Sequence, residues 1–458
     1  MFKTILITFS IFTFTRLFAQ DTSTETIARK LDEYLLSANA VNKFNGAALV
    51  AKKGEILLSK AYGFKNTAKK LFDDTATIFQ IGSITKSFTA IVIAKLQEQG
   101  KLSVNDKLSK YFPGYPNGDK ITIQNLLTHT SGIYNYTNDI GEEDTAIVCY
   151  PVSQQRVLEV FENRPLSFKP GKSFEYCNSG YYLLGMIIEK VSGKKYEDVV
   201  REMIFNPTGM SHSGFDFKNL TDTNKAQGYI ILDKDTTKPN YTVDSTVYFS
   251  AGSIYSTTND LYRWSRAIST NKLLNKNSWT EVFTPYKNDY GYGFYIDTLF
   301  GKNYIKHDGG LLGFASSFTY YPEDDVTIIL LTNVGNYGNS MVPVTMGILS
   351  ILFHLPYSNW VAENQSIKVG DSILQRYVGV YTLDGKTKIT ISVAHGQLYA
   401  EGNSKKSIPR VPIYPISETK FLLKDFNAVF EFIKGEDDRF TKFISHENGK
   451  NVELKRVK

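Results

Sequence analysis

At 458 residues, 42% of them hydrophobic, the chain can bury a large core and falls in the range of about two to three domains. Its formal charge of +6 is spread over interspersed acids and bases with no basic block, which argues against nucleic-acid binding. Two cysteines without C-x-x-C spacing, and no H-E-x-x-H run, argue against structural zinc and a zinc hydrolase.

The first residues read as a signal peptide over residues 1–19. Lys3 gives a basic start, Ile5–Phe14 an apolar centre, and Ala19 a small residue before Gln20. The apolar run is shorter than the ~20 residues a bilayer span needs. Met341–Leu355 comes nearest among later segments and carries Pro343. The expectation is an exported, periplasmic or extracellular protein with no stable membrane span once the signal is removed. In that compartment Cys149 and Cys177 could pair, but two small buried residues are the preferred reading.

A helix is expected over Thr24–Ala38, then strands over Phe44–Lys52 and Glu55–Phe64 around a Lys53-Gly54 turn. Phe88, Ile91, Val92 and Leu96 fall at helical spacing in Thr85–Gln99, with Gly100 as its C-cap. This predicts an amphipathic helix. From Leu102 to Thr284 helices alternate with Pro- and Gly-rich loops, at Ile123–Leu127, Ser153–Glu162, Ser179–Val191 and Tyr196–Ile204. Strand patterns return at Gly291–Thr298, Asn303–Lys306, Ser316–Tyr321 and Val326–Thr332, closed by a helix over Met341–Leu355. Composition shifts between Trp360 and Gly370. Short strands follow at Tyr377–Tyr381, Lys388–Val393, Gln397–Glu401, Lys420–Lys424, Ala428–Lys434 and Phe440–Ser445. The fold class is therefore α/β of the α+β type. An antiparallel sheet flanked by helices, with a mostly helical insertion, occupies residues 20–360, and a small all-β barrel occupies 361–458.

Three short motifs carry chemistry. Ser83-Ile84-Thr85-Lys86 sets a hydroxyl and an amine at i and i+3, which share a helix face. A serine needs its proton removed to attack, and a partly buried lysine can help. The same spacing recurs at Ser192/Lys195, Ser269/Lys272 and Ser417/Lys420, but only Ser83 opens a long apolar-periodic segment. Tyr176-Cys177-Asn178 lies between Pro170-Gly171 and a helix start. A cationic lysine nearby would lower the phenol's pKa and make the phenolate a base, while the asparagine amide could orient a substrate. Tyr-x-Asn also occurs at Tyr115, Tyr136, Tyr286, Tyr337 and Tyr357. His307-Asp308-Gly309-Gly310 lies between strands. Its glycines would let a substrate backbone approach and offer N–H groups to an oxyanion, although the same four residues make a good surface turn.

In this order the motifs resemble the serine β-lactamase and penicillin-binding-protein superfamily. Its nearest branch looks like the class C β-lactamase-type hydrolases, which include D-alanyl-D-alanine carboxypeptidases, D-aminopeptidases and esterases. Supporting stretches are Gln80-Ile81-Gly82, Leu126–Gly132, Pro170-Gly171, Ser250–Ser253 and Ser256–Leu261. The resemblance implies Ser83 as acylated nucleophile, Lys86 and Tyr176 sharing proton transfer, and Asn178 orienting the substrate. It places His307 where a lysine is usual, with an oxyanion hole at the N–H groups of Ser83 and Gly310 beside Gly309. It implies a small-molecule or peptide substrate and no cofactor. The tail resembles the lipocalin-like β domain appended to such hydrolases. His307 and Asp308 depart from the Lys-Thr or Lys-Ser of β-lactam-acting members, so peptidase or esterase action is favoured. A β-lactamase or penicillin-binding carboxypeptidase, and a non-catalytic peptidoglycan or ligand binder, stay as alternatives. Cys177, where a serine is common, is expected to point away from the site. His129 reads as part of a structural turn, His212 as a surface residue, and Glu142, Glu143 and Asp144 as a solvated loop. Tyr181, Tyr182, Tyr290, Tyr292, Tyr295 and Phe314 read as core or cleft wall.

Overall fold

The structure, a computed structural model, describes residues 23–457 except 140–147, 233–235, 336–337, 361–366, 368, 404–409, 424–425, 427, 436–439 and 448–449. The proposed signal segment and the Glu142–Asp144 cluster lie outside the described residues.

Six strands build one antiparallel sheet. They are β1 (Gly46–Lys52), β2 (Glu55–Tyr62), β3 (Tyr295–Leu299), β4 (Lys302–Leu311), β5 (Phe314–Tyr321) and β6 (Val326–Thr332). Their order is β2-β1-β6-β5-β4-β3, so the N-terminal hairpin joins strands from much later in the chain. β5 and β6 are buried along their whole length because helices cover both faces. Alternate residues divide between two cores, as the two-residue strand period requires. Leu49, Phe318, Ile329 and Leu331 meet Phe88 and Ile91 on one face. Val50, Ile328 and Leu330 meet Leu31, Tyr34, Val344 and Ile348 on the other.

The second core is closed by α1 (Thr24–Ala40), capped by the Ser23 hydroxyl, and by the helix Gly338–Leu352, which contains Pro343. The first core surrounds α2 (Thr85–Glu98). Every residue from Thr85 to Ala94 is buried, and so is Leu96. This corrects the expected amphipathic helix. The small polar residues Thr85, Ser87 and Thr89 give it no wet face, because each hydroxyl is hydrogen-bonded internally.

The C-terminal strands form a closed eight-stranded antiparallel barrel. Tyr377, Tyr381, Phe432 and Phe443 fill its interior. Two of its strands, Val411–Pro415 and Lys450–Arg456, escape the sequence reading. The first carries two prolines and the second is dominated by charge, both weak strand signals.

Candidate active site

Ser83 lies in a single 3-10 turn, Gly82–Ile84, that leads into α2. Gly82 has φ +50, and a Cβ there would sit 2.9 Å from the Gly310 nitrogen. Glycine thus lets the turn lie directly against β4. At Gly309 a Cβ would fall 2.0 Å from the Ile81 carbonyl oxygen. The Ser316 hydroxyl donates to that oxygen at 2.8 Å and ties β5 to the same turn. β3 pairs only with Lys302–Lys306, which leaves His307–Leu311 as a free edge. His307-Asp308-Gly309-Gly310 is therefore strand, not turn. A Cβ on Gly310 would meet nothing within 4 Å, so its backbone faces open space. That space is a cleft of about 1220 Å³ lined by Ser83, Tyr176, Tyr295, His307 and Gly310.

Lys86 is fully buried one helical turn past Ser83. Its Nζ lies 3.0 Å from Ser83 Oγ, 2.7 Å from Asn178 Oδ1 and 2.8 Å from the Ala251 carbonyl oxygen. Burial pushes its pKa well below the ordinary lysine value. A neutral amine has two hydrogens and one lone pair. Asn178 Oδ1 and the Ala251 carbonyl only accept, so they take both hydrogens and leave the lone pair for the Ser83 hydroxyl. Ala251 reaches this position through a break in the helix Ser245–Gly252, where Phe249 has φ 40 and ψ −125.

Asn178 opens the helix Asn178–Ser192, and its Nδ2 donates to Thr137 Oγ1 at 2.9 Å. Tyr176 lines the cleft with Ser83, and its ring centroid lies 4.8 Å from Lys86 Nζ. The sequence reading of a lysine-lowered phenol is corrected. Burial raises the Tyr176 pKa well above 10, and the neighbouring Ser83 hydroxyl offsets this only in part.

His307 is 2% exposed. Its Nδ1 is 2.6 Å from the Asp308 carbonyl oxygen, which makes Nδ1 the protonated nitrogen, and Nε2 accepts from the Tyr290 hydroxyl at 3.0 Å. Burial lowers its pKa to about 4, so the ring is neutral. Asp308 accepts from Ser317 Oγ at 2.8 Å and pairs with Lys306 at 3.0 Å. The cleft thus holds no fixed cation at the position where Lys would stand.

Ser83, Lys86, Tyr176, Asn178, His307, Gly309 and Gly310 therefore converge. The competing Ser-x-x-Lys serines serve backbone instead. Ser192 Oγ donates to Ile188, Ser269 Oγ donates to Arg266, and Ser417 Oγ accepts from Lys420 N–H. Cys149 and Cys177 are both free. Cys177 donates to the Ile133 carbonyl at 3.2 Å, away from the cleft. His212 is exposed, while Phe314 is buried in the cleft wall against Phe217. Sequence reasoning missed Thr137, Ala251 and the partnership of Tyr290 with His307. Thr137 lies inside the Tyr136-Thr137-Asn138 copy of Tyr-x-Asn. Ala251 lies in a family-like stretch but acts only through its carbonyl.

Residues 36–351 match the family described as Beta-lactamase. The chain belongs to the beta-lactamase family. This family is part of the serine hydrolase superfamily that contains the penicillin-binding proteins. Penicillin-binding protein 4* of Bacillus subtilis (strain 168) is 30% identical over 440 residues, covering 91% of this chain and 96% of that one. A teichoic acid D-alanine hydrolase of Staphylococcus aureus (strain MRSA252) is 29% identical over 325 residues, 69% of this chain and 75% of that one. Among solved structures, the octameric penicillin-binding protein homologue from Pyrococcus abyssi matches with a TM-score of 0.66 and 25% identity. That match covers 93% of this chain and 99% of the other.

Proposed function

We propose that this family member is an exported serine hydrolase that forms an acyl-enzyme on Ser83 and cleaves an amide or ester, with a D-amino-acid acyl group as the favoured substrate. The observation that carries the reading is the buried Lys86 amine, 3.0 Å from Ser83 Oγ and within hydrogen-bond distance of two fixed acceptors, Asn178 Oδ1 and the Ala251 carbonyl, so that in its neutral form the lone pair is left for Ser83. Ser83 Oγ attacks the carbonyl carbon as Lys86 takes the hydroxyl proton. The resulting oxyanion sits between the N–H groups of Ser83 and Gly310, which the Gly82 turn brings together. The leaving group departs with the Tyr176 proton, which the Lys86 ammonium replaces. Water then attacks the ester, its proton passes to Lys86, and Ser83 Oγ leaves with that proton.

The similarity to a D-alanine hydrolase supports the acyl group. The neutral His307 weighs against β-lactams, whose carboxylate would meet no cation at that place. The residue layout supports residues 20–360 as the hydrolase domain and 361–458 as an appended lipocalin-like barrel. Product release from D-alanyl and L-alanyl esters and anilides, with a penicillin alongside, tests the reading. A burst of leaving group with the D-alanyl ester, and slow or no turnover of the penicillin, supports it. Penicillin as the fastest substrate contradicts the substrate assignment.

A further inference from the structure

His129 closes a short helix with its backbone in the left-handed region, at φ +55. Histidine, like asparagine, is among the non-glycine residues that take that conformation more often, and His354 and His395 adopt it too. The residue is 1% exposed, and its Nε2 has no hydrogen-bond partner. Nδ1 accepts from the Cys177 N–H at 3.1 Å, which puts the ring hydrogen on that unpartnered Nε2. An unpaired buried donor is a cost that a mere turn residue would avoid.

That cost comes with specific contacts. The His129 carbonyl accepts from the Glu175 N–H at 3.0 Å, while Nδ1 holds the Cys177 N–H. The two bonds grip the chain immediately before and after Tyr176. The imidazole lies against the Tyr176 ring, with centroids 4.3 Å apart. The same imidazole also meets Tyr290, centroids 4.6 Å apart, the residue that donates to His307.

We infer that His129 is a positioning residue for Tyr176: it fixes the backbone on both sides and backs the ring, so that the phenol stays at Ser83. The inference rests on the proposed role of Tyr176 in proton transfer. Burial holds the His129 pKa well below the ordinary histidine value, which keeps Nδ1 an acceptor.

The test compares wild type, H129A, H129N, Y176F and H129A/Y176F in the full chain. It reads the acylation rate and KM with an aminoacyl ester, the melting temperature, and the ¹³C signal of the labelled Tyr176 ring carbon. H129A should lower acylation about 100-fold, the lower range for a positioned proton donor, with KM changed less than about threefold. H129N keeps a left-handed residue and an acceptor for Cys177 N–H, and should recover at least about tenfold of that loss. In the Y176F background H129A should add less than about twofold, because the group it positions is gone. The Tyr176 carbon signal should move in H129A. Additive losses that track melting temperature alone, or a Tyr176 signal unchanged in H129A, overturn the inference. A wild type that forms no acyl adduct refutes the functional proposal instead, and the carbon signal still decides the positioning role.

Discussion

Replacing Lys86 by methionine keeps most of the buried stem and deletes the amine. Three groups lose a partner: Ser83 Oγ, Asn178 Oδ1 and the Ala251 carbonyl. A positioned base contributes about 10²–10⁴ in rate. At ~1.36 kcal/mol per tenfold, K86M should raise the acylation barrier by about 3–5 kcal/mol. Two acceptors left without donors cost about 1–3 kcal/mol each, partly offset because no amine has to be desolvated. The net stability loss should be about 2 kcal/mol, small beside the rate effect. Stopped-flow release of a chromogenic leaving group, beside a denaturant melt, separates the two. The pH profile adds a second check. Acylation needs neutral Lys86, so the wild-type rate falls as pH drops through its depressed pKa, and K86M loses that limb. Between that depressed pKa and the ordinary value of 10.5, the unfolded chain holds a lysine proton that the folded chain lacks. Lys86 therefore makes stability rise with pH in that window, and K86M flattens the slope. Acylation within about threefold of wild type would refute the assignment of Lys86 as base.

Other consequences follow from the same geometry. G309A forces a Cβ against the Ile81 carbonyl and Ser316 Oγ, both held in place, and should cut acylation about 100-fold with a stability loss of about 1–3 kcal/mol. G310A meets only open space, so its melting temperature should stay at the wild-type value while kcat/KM falls; equal melting losses in both variants would contradict this. Asp73 is buried, its Oδ1 lacks a partner, and burial pushes its pKa up to about 8 from 3.8. The protonated folded form is favoured, so this stabilisation is full below 3.8 and lost as pH rises through about 8. D73N should be about 1–3 kcal/mol more stable than wild type at pH ~9 and nearly equal at pH ~4; melting curves shifting in parallel across that range would count against it. C177S should acylate within about threefold of wild type, since the thiol faces the Ile133 carbonyl rather than the cleft. A larger drop in its burst rate would place that side chain in the site.

Much of this arrangement is legible in the chain because local spacing carries it. Ser83 and Lys86 meet because i and i+3 share a helix face, and Val326–Thr332 reads as a strand from its β-branched run. What escapes reading depends on distant partners. Periodicity marks an apolar face on α2, but only the packing of sheet and helical insertion shows that every face is covered. His307–Gly310 has the composition of a turn, yet pairing with Ala315–Phe318 draws it into β4. Ala251 contributes a backbone carbonyl after a break at Phe249, and no residue type announces that. Lys86 looks like an ordinary lysine in a sequence, but its depth in the core pushes its pKa well down, and burial of Tyr176 pushes the phenol's pKa up. His129 looks like a turn residue because it is one, and the contacts flanking Tyr176 come from a loop over 40 residues away.

The central claim is that Ser83 becomes acylated. Intact-protein mass spectrometry with peptide mapping, after brief incubation with a D-alanyl aryl ester, tests it most directly. The account predicts one acyl adduct on the peptide bearing Ser83, absent in S83A. An adduct that persists in S83A, or a wild-type protein that hydrolyses the ester without passing through any adduct on Ser83, would contradict it.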